Sequence, residues 1–273
     1  MQINASIVLY HTNKDQLKNI ITCFLNIPFD TKLYLIDNSS NDDLKILKDF
    51  DTSIEYIYNN ANLGYGAAHN IALRKSIENN ATYHFILNSD ILFNPNDIKT
   101  LVDYMDNNPD VGHLMPKVIY PDGQLQYLCK LLPTPYDLIV RRFIPFKRIK
   151  ELNDSKYELR FSGYNKIMNV PYLSGCFMLL RISALKEIGL FDERYFMYPE
   201  DIDLTRRMHK NYKTIFFPYV TIIHDHAKSS YKNLKMMFIH IYNIIKYFNK
   251  WGWFFDKERK IVNKSCLAQL INK

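Results

Sequence analysis

The sequence has few of the residues that mark disulfide-rich, zinc-binding or low-complexity proteins. Its 273 residues include 8 glycines, 11 prolines and four cysteines, and no two cysteines form a CxxC pair. Scattered cysteines argue against a zinc cluster or a disulfide framework, and they fit a reducing cytosol. Low glycine and proline content, together with 47% hydrophobic residues, predicts a folded chain with a sizeable core.

Long apolar runs and targeting signals are also missing. The most apolar stretch, residues 238–255, is interrupted by polar residues such as Asn243 and Lys246. A membrane-spanning helix needs about 20 predominantly apolar residues, so a span is not expected. The first residues lack the basic start and apolar run of a signal peptide. The sequence therefore predicts a cytoplasmic protein.

Positive charge is concentrated at the C-terminal end of the chain. The formal net charge is +7, and residues 228–273 contain ten lysines and arginines against two acids, Asp256 and Glu258. A basic, aromatic-rich segment suits an anionic membrane surface, nucleic acid or a phosphate-bearing substrate, although a solvated helix face has the same composition. We expect residues 228–273 to form a basic, amphipathic helical extension.

Apolar strand-like runs alternate with helix-period segments through the first two-thirds of the chain. This alternation implies βαβ units and predicts an α/β fold with a mostly parallel central sheet flanked by helices. We expect a catalytic domain over residues 1–227, with a nucleotide-binding half at 1–110 and an acceptor half at 111–227. The predicted strands are 3–10, 33–36, 54–58, 83–87, 170–180 and 214–223 (a strand pair or one bent strand), the predicted helices are 14–26, 64–79, 199–210 and 232–249, and residues 129–168 are predicted to be irregular.

A carboxylate follows the fourth predicted strand. The motif Asn88-Ser89-Asp90 lies between two apolar runs, and ligands of parallel sheets bind beyond the carboxyl ends of the strands. Mg²⁺ and Mn²⁺ prefer oxygen ligands, typically one or two carboxylates together with substrate phosphates. Asp90 is therefore a candidate metal ligand, but an aspartate at a strand end is also a common cap of a turn or helix.

Three acids, Glu200, Asp201 and Asp203, cluster at the predicted start of a helix. Carboxylates in a first helical turn complement the helix dipole, which is the simpler interpretation. A carboxylate that stays ionised beside an acceptor hydroxyl acts instead as a general base.

A histidine follows the strand-like residues 220–223. His224 is a candidate partner of Asp90 in a metal site. His226 would point the same way on a continuing strand, and a buried structural histidine is the alternative for either residue.

Small residues open the second predicted helix. The stretch 62–70 (NLGYGAAHN) permits close approach of backbone to a ligand, and a helix N-terminus favours phosphate or ribose oxygens. Packing of a helix on a sheet uses small residues as well. The motifs GxGxxG and GxxxxGK[ST] are absent, which disfavours dinucleotide-binding and P-loop enzymes.

The order of the motifs is more specific than any one of them. In sequence they are YHT (10–12), IDNSS (36–40), NLGYGAAHN (62–70), LNSD (87–90), SGCFM (174–178), GLFDE (189–193), FMYPEDIDL (196–204) and His224. This series, over about residues 3–250, resembles the family 2 glycosyltransferases of the GT-A fold. Within them it is similar to the rhamnosyltransferase-like branch of bacterial surface-polysaccharide synthesis.

The resemblance implies a role for each motif. Asp37 would hydrogen-bond a pyrimidine base in a pocket lined by Tyr10 and Thr12. Asp90 would hold Mn²⁺ or Mg²⁺, with His224 as a further ligand or a diphosphate contact. The residues implied in binding the nucleotide-sugar also include Asn62, Gly64, Gly66, Asn70, Asn88, Ser89, Gly175 and Cys176.

The same resemblance implies that Asp201 is the catalytic base, with Glu200 as the second choice. One departure from the family pattern is visible in the metal motif. The family often has two aspartates there, whereas this chain has Asn88 in place of the first.

The implied activity is inverting transfer of a sugar, rhamnose above others, from a dTDP- or UDP-linked donor to a hydroxyl. The acceptor would be a glycan or a polyprenyl-diphosphate-linked sugar. Transfer of galactose, glucose or an N-acetylhexosamine from a UDP-sugar is the alternative and, more remotely, a sugar nucleotidyltransferase. Nucleic-acid binding would leave the strand-end acids unexplained, so no nucleic-acid partner is expected.

Basic residues outside the motifs suggest where the protein works. We expect Arg141, Arg142, Lys147, Arg148 and the lysines of the tail to contact anionic lipid or the diphosphate of the acceptor. This predicts peripheral attachment to the cytoplasmic face of the inner membrane.

Overall fold

The computed structural model describes residues 1–139, 147–225 and 234–271. The strands are β1 Gln2–Leu9, β2 Asp30–Asp37, β3 Ile54–Tyr58, β4 Tyr83–Leu87, β5 Ile91–Leu92, β6 Val111–Ile119, β7 Cys129–Lys130, β8 Met168–Asn169, β9 Tyr172–Leu173, β10 Phe177–Arg181 and β11 Lys213–His224. The helices are α1 Lys14–Leu25, α2 Tyr65–Glu78, α3 Asp97–Asn107, α4 Pro135–Leu138, α5 Lys147–Tyr157, α6 Ile182–Ile188, α7 Glu200–Asn211, α8 Leu234–Trp251 and α9 Lys257–Ile271, with 3₁₀ helices at Asp43–Phe50 and Arg160–Ser162.

The centre of the fold is a nine-stranded sheet in the order β3-β2-β1-β4-β10-β6-β11-β5, with β8 paired to β11. Its first four strands are parallel to one another. All five residues of β4 are buried, because helices cover both faces of this half. Strands buried on both faces have nearly continuous apolar sequences. For that reason the four predicted strands between residues 3 and 87 are confirmed.

The second half of the sheet is mixed. β10 lies antiparallel between β4 and β6, and β11 runs parallel to β6. The register of β11 shifts between Phe217 and Thr221, so residues 214–223 form one bent strand. The prediction of a single strand over 170–180 is wrong, because residues 174–176 form a turn between β9 and β10. That turn becomes part of the candidate site.

Helices cover the sheet and also fill a segment predicted to be irregular. The predicted helices near 14–26, 64–79, 199–210 and 232–249 correspond to α1, α2, α7 and α8. The prediction for residues 129–168 is wrong in part, since β7, α4 and α5 lie there. No helix in the described parts of the chain is both long and apolar enough to span a membrane.

The C-terminal helices pack on the body of the fold. Ile244, Tyr247 and Phe248 of α8 form a buried apolar cluster with Tyr195 and Ile202. The basic stretch predicted to contact lipid cannot be placed in the same way, because Arg141, Arg142 and the side chains of Lys147 and Arg148 lie outside the described residues.

Three buried histidines lie within or against the sheet. The hydroxyl of Ser6 is 2.7 Å from Nδ1 of His69 and 2.8 Å from Nε2 of His84. Neither ring nitrogen of His113 has a hydrogen-bond partner among the described residues. Burial lowers the pKa of His84 and of His113 to about 3, and that of His69 well below its ordinary value. All three rings are therefore neutral in the folded chain at neutral pH.

Replacing His113 with leucine is expected to make the fold less sensitive to acid. Between the ordinary pKa of 6.5 and a folded-state pKa of about 3, this imidazole is protonated only in the unfolded chain. The unfolded state then binds more protons, so the free energy of unfolding falls as the pH falls, by about 1.4 kcal/mol per pH unit for one group. Urea titrations give the free energy of unfolding at about pH 7.5 and at about pH 5. The decrease between these two pH values should be about 2 kcal/mol smaller in His113→Leu than in the wild type.

The matched control for this measurement is His11→Asn. His11 is exposed and has a φ of 48°, which asparagine tolerates. We expect this variant to keep the pH dependence of the wild type. An unchanged pH dependence in His113→Leu would contradict the assignment of His113 as a buried neutral group.

Candidate active site

Asp90 and His224 meet at the carboxyl end of the sheet. Asp90 lies between β4 and β5, and antiparallel pairing of β5 with β11 sets Ile91 opposite His224. As a result, Nε2 of His224 is 3.3 Å from Oδ1 of Asp90. The two candidate metal ligands, distant in sequence, are thus adjacent in the fold. His226, the alternative histidine, lies outside the described residues.

Gln126 holds the imidazole of His224 from its other side. Oε1 of Gln126 is 2.9 Å from Nδ1 of His224, and Nε2 of Gln126 donates to the His224 carbonyl at 2.7 Å. In this arrangement Nδ1 of His224 donates its proton to Gln126, and Nε2 faces Asp90. Burial lowers the pKa of His224, but hydrogen bonds with Asp90 and Cys176 outweigh burial and raise it to about 10, so the ring is protonated beside the Asp90 carboxylate. A metal ion at Nε2 would take the place of that proton. No motif in the sequence marks Gln126, and the sequence analysis missed it.

The spacing of Asp90 and His224 fits two neighbouring ligands of a small divalent cation. With metal–ligand bonds of about 2.1 Å at right angles, two ligand atoms lie about 3.0 Å apart, close to the 3.3 Å observed. The described residues contain no group of three or more histidine, cysteine or acidic side chains able to hold a metal. Mg²⁺ and Mn²⁺ commonly complete such a partial set of protein ligands with water and substrate phosphates.

Asp90 and Ser89 line an open cleft of about 450 Å³ beside the N-terminal end of α1. Asp15 and Asp225 lie in the same cleft, and none of the described residues that line it is a lysine or arginine. Asp90 faces His224 and Asp15 lies 3.8 Å from Lys18, but the excess of carboxylates in the lining still disfavours an anionic ligand. A bound cation would offset this repulsion of a diphosphate.

The buried carboxylate of Asp201 is held by backbone groups. Its Oδ2 accepts from the N–H of Gly175 at 2.8 Å and from the hydroxyl of Tyr172 at 3.4 Å, and Oδ1 accepts from the N–H of Ile202 at 2.7 Å. Burial raises the pKa of Asp201 to about 6, while the bond from Gly175 and the charge of Lys130 limit the rise. Asp201 is therefore largely ionised at neutral pH. Tyr172 and Lys130 are further residues that the sequence analysis missed.

Glu200 and Asp203, the other acids of the cluster, differ from Asp201. Oε2 of Glu200 has no hydrogen-bond partner among the described residues, and burial together with the charge of Asp201 raises the pKa of Glu200 well above its usual range. Asp203 accepts from Nε1 of Trp251 at 2.8 Å and forms ion pairs with Arg207 at 2.8 Å and Lys250 at 2.6 Å. The environment thus leaves Glu200 protonated and gives Asp203 a structural role.

The turn at residues 174–176 connects the two acidic sites. The N–H of Asn88 donates to the carbonyl of Cys176 at 3.0 Å, and Nδ2 of Asn88 is 3.4 Å from Nε2 of His224. The hydroxyl of Tyr65 is 2.8 Å from the carbonyl of Gly175 and 3.0 Å from Oδ1 of Asn88. A continuous series of contacts therefore runs from the metal-ligand pair to Asp201.

A second polar region surrounds Asp37 at the end of β2. Both carboxylate oxygens of this buried residue accept protein hydrogen bonds, from the N–H of Ser39 at 2.8 Å and from the hydroxyl of Tyr56 at 2.6 Å. At the end of the neighbouring β1, Tyr10 is exposed and its N–H donates to Oγ1 of Thr12 at 3.1 Å. The predicted base-binding residues therefore lie at the ends of adjacent strands.

The start of α2 approaches the chain near residue 196 closely. Oδ1 of Asn62 accepts from the N–H of Gly64 at 3.0 Å. Gly64 has a φ of 88°, and a Cβ there would overlap the carbonyl of Phe196, so glycine is required. A Cβ on Gly66 would lie 2.9 Å from Cβ of Phe191. Small residues here allow the helix to pack on this loop.

Asn70 supports that loop from behind. It is 1% exposed. Its Nδ2 donates to the Phe191 carbonyl and to Glu193, each at 2.9 Å, and its Oδ1 accepts from the Phe191 N–H at 3.0 Å. Both ends of the amide are therefore taken, and the geometry supports a positioning role for Asn70 rather than the nucleotide-sugar contact expected from the sequence.

Comparison with known proteins identifies the family. The sequence profile described as Glycosyl transferase family 2 matches residues 6–189. The chain belongs to this family. The matched region of this family 2 glycosyltransferase contains Asp37, Asp90 and Gly175 but ends before α7, so Asp201 and His224 lie beyond it.

Two of the similar proteins are named as rhamnosyltransferases. The chain is 31% identical over 180 residues to N-acetylglucosaminyl-diphospho-decaprenol L-rhamnosyltransferase of Mycobacterium tuberculosis, covering 62% of this chain and 58% of that protein. It is 26% identical over 212 residues to rhamnosyltransferase WbbL of Escherichia coli, covering 74% and 75%. The chain thus spans less than two-thirds of the length of the first relative.

The fold is also similar to solved glycosyltransferase structures. GalNAc-T7, solved with UDP, GalNAc and Mn²⁺, superposes with a TM-score of 0.60 at 14% identity, over 82% of this chain and 43% of that one. At this identity the likeness concerns the fold alone. It agrees with the GT-A-type architecture expected from the sequence.

The helix that carries Asp201 is anchored on its other face by the C-terminal helices. Nη1 and Nη2 of Arg206 donate to Asp256 at 2.8 and 2.9 Å, and the side chains of this pair are 2% and 3% exposed. The guanidinium also lies 4.0 Å from the ring centroid of Trp251. A bidentate ion pair that is also stacked on an aromatic ring fixes the position and orientation of the Arg206 side chain, and with it those of α7.

We expect Asp256→Ala to destabilise the protein strongly. Removing one partner of a buried ion pair typically costs about 3–5 kcal/mol, and Glu258, 3.0 Å from Nη2 of Arg206, remains as a second acceptor, so we expect a loss at the lower end of this range. Chemical denaturation monitored by circular dichroism gives the free energy of unfolding. Asp103→Ala is the matched control, since its pair with Lys99 is exposed and should contribute about 0.5 kcal/mol or less. Equal losses in the two variants would contradict the anchoring role.

Proposed function

We propose that this family 2 glycosyltransferase is an inverting, metal-dependent enzyme that transfers rhamnose from a dTDP- or UDP-linked donor. The acceptor is a hydroxyl of a glycan or of a polyprenyl-diphosphate-linked sugar. One observation carries the proposal. The Asp90–His224 pair, spaced for a cation, is joined through the turn at residues 174–176 to the ionisable carboxylate of Asp201.

The relatives support the choice of sugar and acceptor. One is named for transfer of L-rhamnose to an N-acetylglucosaminyl-diphospho-decaprenol, and the other is named a rhamnosyltransferase. In this proposal Tyr10, Thr12 and Asp37 bind the base, Asp37 by exchanging one of its present hydrogen bonds, from Ser39 or Tyr56, for one from the base. Asn62, Gly64 and Gly66 border the ribose and phosphates. Asn88, Ser89, Gly175 and Cys176 lie beside the transferred sugar and its diphosphate, and Asn70 holds the loop behind them.

Asp90 and His224 hold Mn²⁺ or Mg²⁺ in the proposed enzyme. When bound, the cation stabilises the negative charge that develops on the departing nucleoside diphosphate. The Mn²⁺ in the structure of GalNAc-T7, which has a similar fold, supports this assignment. Gln126 contributes by accepting the Nδ1 proton of His224, which orients Nε2 toward Asp90, where a cation would replace the proton on Nε2.

Asp201 accepts the proton of the acceptor hydroxyl in the proposed reaction. Its carboxylate remains ionised because two backbone N–H groups stabilise the charge, whereas Glu200 stays protonated. Loss of the proton makes the acceptor oxygen more nucleophilic as it attacks the anomeric carbon opposite the leaving group. The configuration inverts, and no covalent intermediate is required.

The domain organisation and cellular location are part of the same proposal. Residues 1–110 bind the nucleotide, residues 111–227 bind the acceptor, and residues 228–273 form a basic helical extension. Association with the anionic cytoplasmic face of the inner membrane would bring the enzyme to a lipid-linked acceptor. The excess of basic residues in the extension supports this location.

A donor panel tests the proposed activity. The purified chain is incubated with Mn²⁺, an N-acetylglucosaminyl-diphospho-lipid and dTDP-rhamnose, UDP-glucose, UDP-galactose or UDP-N-acetylglucosamine, and release of dTDP or UDP is measured. We expect turnover with dTDP-rhamnose to exceed that with the other donors. Asp201→Asn should lower turnover by about 100-fold or more while donor affinity is kept, because a general base typically contributes about 10²–10⁴.

The pH profile separates a base from a structural carboxylate. Asp201 must be ionised to accept a proton, so kcat/KM should fall as the pH falls through about 6. Asp103→Asn, at an exposed carboxylate, is the control and should keep both turnover and profile. Normal turnover in Asp201→Asn would show that the base is wrongly assigned. Pyrophosphate release from a nucleoside triphosphate would instead indicate a nucleotidyltransferase.

Metal binding gives a test that does not depend on turnover. Asp90→Ala should weaken binding of Mn²⁺ in the presence of dTDP by about tenfold or more, measured by electron paramagnetic resonance of free Mn²⁺. Asp15→Ala removes a carboxylate from the same cleft without altering the Asp90–His224 pair. We expect a smaller effect from this control. Equal Mn²⁺ affinity in Asp90→Ala and the wild type would exclude Asp90 as a ligand.

A further inference from the structure

A groove of about 740 Å³ lies between α9 and residues 131–137, away from the acidic cleft. Two side chains of α9 hold its walls together. Oδ1 and Nδ2 of Asn263 bond the N–H and carbonyl of Leu132 at 2.8 and 2.9 Å. Arg259, which is buried, donates to the carbonyls of Pro133 at 3.2 Å and Trp253 at 3.0 Å. The groove is therefore part of the folded structure.

The groove carries excess positive charge. Its lining includes the exposed lysines Lys156, Lys260 and Lys264, and Asp137 is the only acid among the described residues that line it. The carboxylate of Asp137 is already engaged by the N–H and hydroxyl of Thr134, at 2.7 and 2.6 Å. None of the three lysines forms an ion pair within the parts of the chain that the structure describes. Their ammonium groups are available to an anionic ligand.

Apolar side chains form the rest of the groove. Leu131, Trp253 and Leu267 line it, and Phe254 stands at its edge with 71% of its surface exposed. The neighbouring Phe255 is 94% exposed. Two consecutive exposed phenylalanines beside a lysine-lined groove suit a ligand that has an anionic group and a hydrocarbon chain.

The wall of the groove is linked to the proposed catalytic base through neighbouring residues. Leu131 follows Lys130, which pairs with Tyr172 between β7 and β9. The ammonium of Lys130 is 5.1 Å from the ring centroid of Tyr172, and the hydroxyl of Tyr172 donates to Asp201. Contacts between neighbouring residues therefore lead from the wall of the groove, through Lys130 and Tyr172, to Asp201.

We propose that this groove binds the polyprenyl diphosphate part of the acceptor. This inference rests on the proposed function, since it assumes that a lipid-linked sugar is the acceptor. The lysines bind the diphosphate through charge-assisted hydrogen bonds, and the apolar wall binds the first isoprene units. The sugar extends toward Asp201, and the rest of the chain leaves past Phe254 and Phe255 toward the bilayer.

Binding of farnesyl diphosphate, which has the diphosphate and isoprene units but no sugar, tests the groove directly. Isothermal titration of the full chain should give saturable binding, with inorganic diphosphate weaker by about tenfold or more. The double variant Lys260→Gln/Lys264→Gln should weaken farnesyl diphosphate binding by about tenfold or more. Lys257→Gln, on the same helix but outside the groove, should change the affinity by about twofold or less.

A second variant tests the shape of the groove. Ala268 is exposed and lines the groove, so Ala268→Trp should fill it without removing charge or disturbing the core. We expect the same loss of farnesyl diphosphate binding, with dTDP affinity unchanged. Wild-type affinity for farnesyl diphosphate in both variants, or displacement of this probe by dTDP, would overturn the proposal.

Further outcomes distinguish binding in the groove from binding to a membrane surface and from the proposed enzyme activity. In one such outcome, Lys260→Gln/Lys264→Gln no longer binds phosphatidylglycerol vesicles but still binds farnesyl diphosphate. That result would mean that the lysines contact the membrane surface, and it would contradict the proposal. Turnover of a nucleotide-sugar without binding of farnesyl diphosphate would support the proposed enzyme activity and contradict the proposed role of the groove. Groove binding without turnover of any donor would support the groove and contradict the proposed function.

Discussion

The bond from the backbone N–H of Gly175 to the carboxylate of Asp201 is the contact on which the candidate active site depends. It is 2.8 Å long, and a Cβ on residue 175 would lie 3.0 Å from Cβ of Asp201, so a larger residue would force them apart. Through the carbonyl of Cys176, the same turn is bonded to Asn88 at the end of β4. A buried carboxylate stays ionisable here because backbone N–H groups, rather than water, stabilise its charge.

The sequence predicts those parts of the site that follow from strand periodicity. Asp90 and His224 were found because each comes at the end of an apolar run, and their 3.3 Å separation follows from strand pairing. The turn at Gly175 was missed, since apolar residues continue on both sides and long-range bonds determine it. The sequence around Asn70 does not indicate whether its side chain contacts a ligand or a loop. Its burial and its hydrogen bonds in the structure distinguish the two. Gln126 contacts a histidine 98 residues away, and no local pattern encodes such a pair.

The two faces of α7 contact different parts of the fold. Asp201 faces the turn between β9 and β10, while Asp203 and Arg206 receive Lys250, Trp251 and Asp256 from the C-terminal region. Charge composition alone suggests that this region is a basic surface. The ion pairs with α7 give the C-terminal region a second role, because they hold in place the helix that carries the proposed base, Asp201. The part of the chain that matches the family profile ends at residue 189, so this support lies beyond it.

The two cavities differ in charge, and this difference bears on the two diphosphates of the proposed reaction. Among the described residues, the lining of the cleft at Asp90 has carboxylates and no lysine or arginine, whereas the groove at α9 has Lys260 and Lys264. A nucleoside diphosphate must leave after each turnover, and a dissociable cation lets an acidic cleft hold and then release it. The diphosphate of the acceptor stays attached to the product, so fixed lysines suffice. In the proposed reaction, the charge that balances the donor diphosphate would therefore come from a cation in solution, and the charge that balances the acceptor diphosphate would come from lysines of the chain.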